Sequence, residues 1–115
     1  MSITLYHNPR CSKSRQTLAL LEEKGIQPDI IEYLQSPPDA ATLTEILAAL
    51  GITAENLMRK GEDEFKSDKD SVLSMSEQQQ IEWLAANPKV IERPIVVNGE
   101  QARIGRPPES VLEII

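Results

Sequence analysis

An apolar strand-like run, a helical pattern and a second strand-like run follow one another at the start of the chain. The segment Ile3–Tyr6 is short and apolar, and turn residues follow it. A helix is predicted over Ser12–Lys24, because apolar residues recur at helical spacing and Gly25 follows as a stop signal. A second strand is predicted over Ile30–Tyr33. A strand–helix–strand unit requires two parallel strands joined by a right-handed crossover, so this order constrains the fold more than any other feature.

The C-terminal part of the chain predicts a hairpin and a final helix. Asn98-Gly99 lies between the β-type runs Ile95–Val97 and Ala102–Ile104, which predicts a tight hairpin with a type I′ turn. Pro107–Glu109 has the proline and the acid that favour a helix start. The side chains predicted to face inward from this helix are Val111, Leu112 and Ile115.

The middle of the chain predicts mainly helices. Thr42 with Glu45, and Ser76 with Gln79, match the spacing of a capping box. Glu62–Ser71 is polar and is predicted to be a solvated turn region. The predicted helices are a helix from about Thr42 to Leu50, a short helix over Ala54–Lys60 and a helix from about Ser76 to Ala86.

These elements together predict an α/β protein in which helices cover a mixed central sheet. The order β-α-β, then helices, then β-β-α fits a thioredoxin-like fold with a helical insertion, in one domain over residues 1–115. A chain of 115 residues is long enough for a hydrophobic core, and 40% apolar with 26% charged residues is typical of globular proteins.

Charge and hydropathy narrow the possible partners. No apolar run approaches the ~20 residues of a membrane span, and no cleavable leader is visible. The net charge of −6 argues against a general surface for nucleic acid or acidic membranes. We therefore expect a cytoplasmic protein, and we expect it to be a monomer.

Cys11 is the only cysteine, and it lies between the first predicted strand and the first predicted helix. A helix N-terminus presents unpaired backbone N–H groups and the positive end of the helix dipole, and both favour a thiolate. Arg10, Lys13 and Arg15 add positive charge nearby. We predict an activated thiolate at neutral pH beside an anion site, with a buried structural thiol as the alternative.

A single sulfur limits what redox chemistry the chain can perform. A disulfide needs two sulfurs, so a redox cycle at Cys11 requires an external thiol, either glutathione or a partner protein. Ser14, one helical turn further on, could donate a hydrogen bond to the thiolate or be an ordinary first-turn serine. His7 could tune Cys11 or simply satisfy loop backbone groups. As His7 is the only histidine, no metal site is predicted.

Three further arginines are candidates for binding an oxyanion, because a guanidinium offers paired N–H donors that lysine cannot copy. Arg59 lies at the predicted end of a helix, where it could instead complement the dipole. Arg93 precedes Pro94 at the start of the predicted hairpin. Arg106 precedes the last helix, where a positive charge is unfavourable for the dipole and so suggests a bound anion.

Four motifs occur in order along nearly the whole chain: His7–Arg15, Leu57–Lys60, Glu92–Val97 and Arg103–Pro107. With these motifs the chain resembles the glutaredoxin-dependent arsenate reductase family. The dipeptide Tyr33-Leu34 followed by Pro37-Pro38 also resembles that family. The resemblance implies a thioredoxin-like fold with Pro94 as its cis-proline. Arg10–Lys13 replaces the smaller residues of the arsenic-resistance enzymes, and the chain ends at Ile115 without their extension, as in the family's uncharacterised housekeeping branch.

The resemblance also implies a reaction and its participants. Cys11 would attack arsenate, and His7 and Ser14 would assist the thiolate. Glutathione and glutaredoxin would complete the cycle as external partners, with no bound cofactor, and arsenite would leave. The residues that would hold the oxyanion and the arsenic intermediate are Arg59, Arg93 and Arg106.

Two other functions fit parts of the same sequence. A glutathione-linked thiol–disulfide oxidoreductase would use Cys11 on protein mixed disulfides, but it would not need three oxyanion-binding arginines. A non-enzymatic regulator, like the thioredoxin-fold proteins that bind RNA polymerase, would not need them either. A redox-switched regulator of this kind would also use a Cys-x-x-Cys pair as its switch. This chain has Ser14 in place of the second cysteine.

Overall fold

The computed structural model describes residues 2–115. The chain forms two compact units, one made of the residues up to 36 together with 93–115, the other of residues 37–92. The second unit corresponds to the predicted helical insertion. None of the helices within residues 2–115 is long and apolar enough to cross a membrane.

The first unit is built on a four-stranded mixed sheet, as the sequence predicted. Its strands lie in the order β2-β1-β3-β4, with β1 and β2 parallel and the other neighbours antiparallel. The parallel pair follows from the β-α-β order, since the crossover helix returns the chain to the same end of the sheet. The elements are β1 (Ile3–His7), α1 (Ser12–Glu23), β2 (Asp29–Glu32), β3 (Ile95–Asn98) and β4 (Gln101–Ile104).

A hydrophobic cluster fixes α1 and the end of the chain to this sheet. Leu5 of β1 and Val96 of β3 are fully buried and lie opposite each other in the antiparallel register. Leu21 of α1 packs with them, together with Val111 and Ile114 from the C-terminal segment. Burying such side chains stabilises the fold by about 1.5–3 kcal/mol each, so this cluster holds the two chain ends of the unit together.

The hairpin forms, but its turn lies one residue further along than the sequence predicted. Asn98 pairs with Gln101, so the two central residues are Gly99 and Glu100. Only Gly99 has a positive φ, at +64°. A glycine with positive φ at the first central position favours a type II′ turn, so the predicted type I′ turn at Asn98-Gly99 is wrong. The side chain of Asn98 instead donates a hydrogen bond to the carbonyl of Ile114, which keeps it in the strand.

The last segment is a 3₁₀ helix over Pro108–Ile114 rather than an α-helix. A 3₁₀ helix has three residues per turn, so residues three apart share a face. Val111 and Ile114 are accordingly buried, whereas Ile115 is 39% exposed and Leu112 is only partly buried. The predicted inward positions of Leu112 and Ile115 are therefore wrong, because they assumed the α-helical period.

The second unit contains three α-helices and two short 3₁₀ segments. An isolated antiparallel bridge between Met58 and Ile91 closes it near its C-terminal end. The short helix predicted over Ala54–Lys60 is reduced to a single 3₁₀ turn. The elements are α2 (Ala40–Leu50), the 3₁₀ segment Glu55–Leu57, α3 (Asp63–Leu73), α4 (Glu77–Ala86) and the 3₁₀ segment Pro88–Val90.

The predicted turn region Glu62–Ser71 is wrong, because most of it belongs to α3. Phe65 and Val72 are buried, and their spacing of seven residues places both on one face of a helix. The many charged side chains between them are exposed, as on the solvent face of a surface helix. The hydrophobic signal of α3 thus rests on two side chains in a mainly polar sequence.

Of the two predicted capping boxes, one is confirmed and one is wrong. Ser76 accepts from the backbone N–H of Gln79, whose side chain accepts in turn from the backbone N–H of Ser76. The helix α2 begins earlier than predicted, because Asp39 is its N-cap and accepts from the backbone N–H of Thr42 at 2.8 Å. Thr42 therefore lies inside the helix.

Replacing Asp39 with alanine is expected to lower the urea midpoint of unfolding at neutral pH, because it removes the cap of α2. The hydrogen bonds from Thr42 hold the pKa of Asp39 below its ordinary value. The stabilisation by the carboxylate is therefore present above the unfolded-state pKa and is lost as the pH falls through the folded-state pKa. Chemical unfolding of wild type and Asp39→Ala between neutral and acidic pH tests this. Glu45→Ala, on the exposed face of α2, is the control, and a larger effect of Glu45→Ala would contradict the assignment.

Candidate active site

Cys11 lies where the loop after β1 turns into α1. Its backbone N–H donates to the carbonyl of Asn8 at 3.0 Å, and the side chain of Asn8 accepts from the backbone N–H of Arg10 at 3.0 Å. Cys11 is the N-cap residue of α1 with an extended backbone, and its carbonyl accepts from Arg15. Asn8 therefore shapes a turn that places the sulfur at the helix N-terminus.

The sulfur of Cys11 is surrounded by donors that favour its charged form. Burial raises the pKa of the thiol, but the backbone N–H of Ser14, the side chain of Arg93 and the backbone N–H of Lys13 lower it. The positive charge of Arg106 lowers it as well, and the net pKa is below that of an ordinary cysteine. The thiol is partly exposed, so a small molecule can reach it.

The cations that contact the sulfur come from far along the chain. Nη2 of Arg106 lies 3.6 Å from Sγ of Cys11, and Nε of the same guanidinium donates to the carbonyl of Arg93 at 2.8 Å. Among the cations that the sequence places next to Cys11, Arg15 instead donates to the carbonyl of Pro9 at 3.0 Å. The guanidinium of Arg106 is thus oriented by one bond and meets the sulfur with another donor.

Gly105 sets the position of Arg106, a role that the sequence did not predict. A Cβ at this residue would lie 2.5 Å from Oγ1 of Thr17 and 2.8 Å from Cγ of Pro94. The backbone N–H of Gly105 donates to the carbonyl of Pro94 at 2.9 Å. Only glycine lets this segment approach both α1 and the start of β3 so closely. A glycine directly before the predicted functional arginine, Arg106, was the available signal.

Two proline peptides beside the site are cis. The Arg93–Pro94 bond is cis, which confirms what the family resemblance implied. The Arg106–Pro107 bond is also cis, which the sequence did not predict. Both of the arginines that act on the Cys11 thiol therefore directly precede a cis proline.

His7 and Ser14 meet in a buried hydrogen-bond network behind the sulfur. Nδ1 of His7 lies 2.7 Å from Oγ of Ser14, which also accepts from the backbone N–H of Asn8 at 3.0 Å. Burial lowers the pKa of His7, the Glu32 carboxylate raises it and Arg15 lowers it, for a net pKa below the ordinary value. Of the two roles considered for Ser14, one was a hydroxyl contact to the thiolate. In the structure the backbone N–H of Ser14 meets the sulfur, and the hydroxyl contacts His7 and Asn8.

Arg59 belongs to the second unit, where it is held by two carboxylates. Its Nη1 lies 3.4 Å from Glu92, and its Nε lies 3.7 Å from Glu62. Its backbone N–H donates to the carbonyl of Val90. The first unit thus brings together Cys11, His7, Ser14, Arg93 and Arg106, and Arg59 is ordered by its own unit. Within residues 2–115 no three His, Cys, Asp or Glu side chains are grouped as metal ligands.

Residues 6–114 match the model of the ArsC family. The chain belongs to this family. It is 53% identical to an uncharacterized protein, YfgD, of Escherichia coli K12 over 98% of this chain and 96% of that one. It is 49% identical to a Haemophilus influenzae arsenate reductase over the full length of both. A solved arsenate reductase from Vibrio cholerae is 46% identical and superposes with a TM-score of 0.95, covering 100% of this chain and 98% of that one. The predicted family and the predicted thioredoxin-like fold are confirmed.

The Cys11 pKa is expected to lie below the ordinary value of about 8.5. Arg106→Ala should raise the Cys11 pKa, because it removes a positive charge that lowers it. Thiolate absorbance at 240 nm, followed against pH, measures both values. Arg103→Ala, which removes an arginine bonded to Glu113 instead, is the control. A wild-type pKa at or above the ordinary value would contradict the geometry.

Gly105→Ala is expected to destabilise the protein by about 1–3 kcal/mol, because the added methyl group overlaps its neighbours. In the Thr17→Ala background the same substitution should cost less, since the contact with Oγ1 of Thr17 disappears and only that with Pro94 remains. Urea unfolding of the four combinations measures the coupling. Equal costs in both backgrounds would show that the close contact with Thr17 is not what requires a glycine.

Proposed function

We propose that this protein is an arsenate reductase in which the Cys11 thiolate attacks arsenate and external thiols supply the electrons. One observation carries the proposal: a partly exposed thiol of lowered pKa lies under the guanidinium groups of Arg93 and Arg106. The relatives from Haemophilus influenzae and Vibrio cholerae, which match nearly the whole chain, are named arsenate reductases. We further propose that it acts as a monomer in the cytoplasm, where glutathione is kept reduced.

The charge around the sulfur suits an oxyanion as the electrophile. A thiolate and an arsenate anion repel each other, so their approach requires positive charge on both sides of the reacting atoms. Arg93 and Arg106 supply this charge, and their N–H groups match the oxygens of a tetrahedral anion. The developing negative charge on those oxygens during attack is stabilised by the same donors.

The first step forms a bond between the Cys11 sulfur and pentavalent arsenic, and an arsenate oxygen leaves as water. A first external thiol then replaces a second oxygen on arsenic, again with loss of water. A second external thiol attacks the sulfur of the first, so a disulfide forms and an electron pair remains on arsenic. Water then releases arsenite and returns the Cys11 thiolate. In sum, arsenate and two thiols give arsenite, one disulfide and one water.

External thiols are necessary because the chain has one cysteine. We propose glutathione as the first thiol and glutaredoxin as the partner that supplies the second, with no cofactor bound to the protein. The two electrons then come from sulfur outside the chain, and Cys11 begins and ends the cycle as a thiolate.

The remaining site residues have supporting roles in this proposal. The His7–Ser14 network orders the first turn of α1, so that the backbone N–H of Ser14 faces the sulfur. Arg59 is proposed as a third oxyanion ligand on the basis of the family resemblance. Its contacts with Glu62 and Glu92 hold its guanidinium in a defined position.

Purified protein with arsenate, glutathione and glutaredoxin is expected to release arsenite, and Cys11→Ser is expected to release none. Arg93→Ala should lower kcat/KM by about a hundredfold, the typical loss when one donor to a developing oxyanion is removed. Arg103→Ala serves as the control for loss of an arginine outside the site. Arsenite formation no faster than in Cys11→Ser would reject the proposal.

A further inference from the structure

The carbonyls of the two residues that precede β3, Arg93 and Pro94, already accept hydrogen bonds. The carbonyl of Pro94 accepts from the backbone N–H of Gly105 at 2.9 Å. The carbonyl of Arg93 accepts from Nε of Arg106 at 2.8 Å, and the same guanidinium reaches the sulfur at 3.6 Å. The Arg93 carbonyl and the sulfur therefore lie within the span of one guanidinium group.

An extended peptide would need that carbonyl. Peptides that bind beside a strand do so through main-chain hydrogen bonds, which give most of their affinity. Pro94 has no N–H to donate, so the Arg93 carbonyl is the one polar group of the Arg93–Pro94 peptide bond that a bound peptide could use. The guanidinium of Arg106 already donates to this carbonyl. Because its Nη2 also reaches the sulfur, it occupies the side of the carbonyl from which a peptide disulfide would reach Cys11.

A small tetrahedral oxyanion has the opposite requirement. It carries acceptors only, so it needs N–H donors near the sulfur and makes no use of a carbonyl. Arg106 supplies such a donor with Nη2 while its Nε bond to Arg93 fixes the plane of the guanidinium. The same side chain thus favours an oxyanion and excludes a peptide.

We propose that Arg106 determines the substrate class of Cys11 by closing the Arg93 carbonyl, so that small oxyanions reach the sulfur and peptide mixed disulfides do not. This inference rests on the proposed function, because it explains why that site would act on arsenate. It also predicts a latent second activity. With the carbonyl open, the Cys11 thiolate would attack the glutathione sulfur of a glutathionylated peptide. The peptide thiolate leaves, and free glutathione then releases oxidised glutathione and restores Cys11.

The experiment compares wild type, Arg106→Ala, Arg106→Lys and Arg93→Ala as full-length proteins. Each is assayed for arsenate reduction and for glutathione removal from a glutathionylated peptide, and each rate is divided by the measured thiolate fraction of Cys11. Arg106→Ala should lose about a hundredfold on arsenate. It should gain about fivefold on the peptide, the worth of one hydrogen bond made available. Arg106→Lys keeps the charge without the planar donor pair, so its peptide rate should also rise.

Arg93→Ala is the matched control. It removes a cation beside the sulfur, but the main-chain carbonyl of residue 93 still accepts the hydrogen bond from Arg106. Its corrected peptide rate should rise less than that of Arg106→Ala, because the Arg93 carbonyl remains bonded to Arg106. A peptide rate of Arg106→Ala equal to or below wild type would overturn the inference. An equal gain in Arg93→Ala would do the same, since lost charge alone would then explain it. If wild type does not reduce arsenate, the proposed function fails, while the peptide comparison still decides the role of Arg106.

Discussion

The chemistry of this protein depends on a competition at the Cys11 sulfur. Partial burial favours the neutral thiol, whereas backbone N–H groups and two guanidinium groups favour the thiolate, and the donors prevail. The donors belong to the first turn of α1, to Arg93 two residues before β3, and to the residue after Gly105. No short stretch of sequence could supply all of them, so the lowered pKa of the thiol is a product of the sheet order.

The register of the sheet explains how these segments meet. Tyr6 near the end of β1 pairs with Ile95 at the start of β3, and Ile95 pairs with Ile104 at the end of β4. The loop after β1, the segment before β3 and the segment after β4 therefore emerge at the same end of the sheet. Because β3 lies between β1 and β4, Arg93 lies between the two segments that carry Cys11 and Arg106.

The sequence predicted those features that depend on local patterns. The β-α-β order, the hairpin and the Ser76 capping box follow from periodicity and turn chemistry, and each is present. The helix α3 was missed because its core signal is only Phe65 and Val72 within a charged segment. The place of Gly105 against Thr17 and the contact of Ser14 with His7 could not be derived, since they depend on how separate segments pack.

The local sequence suggested that the arginines bind an anion, but only the family resemblance connected them to Cys11. A cation before the last helix suggested an anion site near Arg106, but nothing in the local sequence linked it to a sulfur 95 positions earlier. Its second bond, to the Arg93 carbonyl, changes what the site can admit. A guanidinium that only stabilised a thiolate would leave that acceptor open to any extended disulfide. One that fills the acceptor combines activation of the sulfur with selection of its partner, so a single side chain can make a general thiol nucleophile selective for small anions.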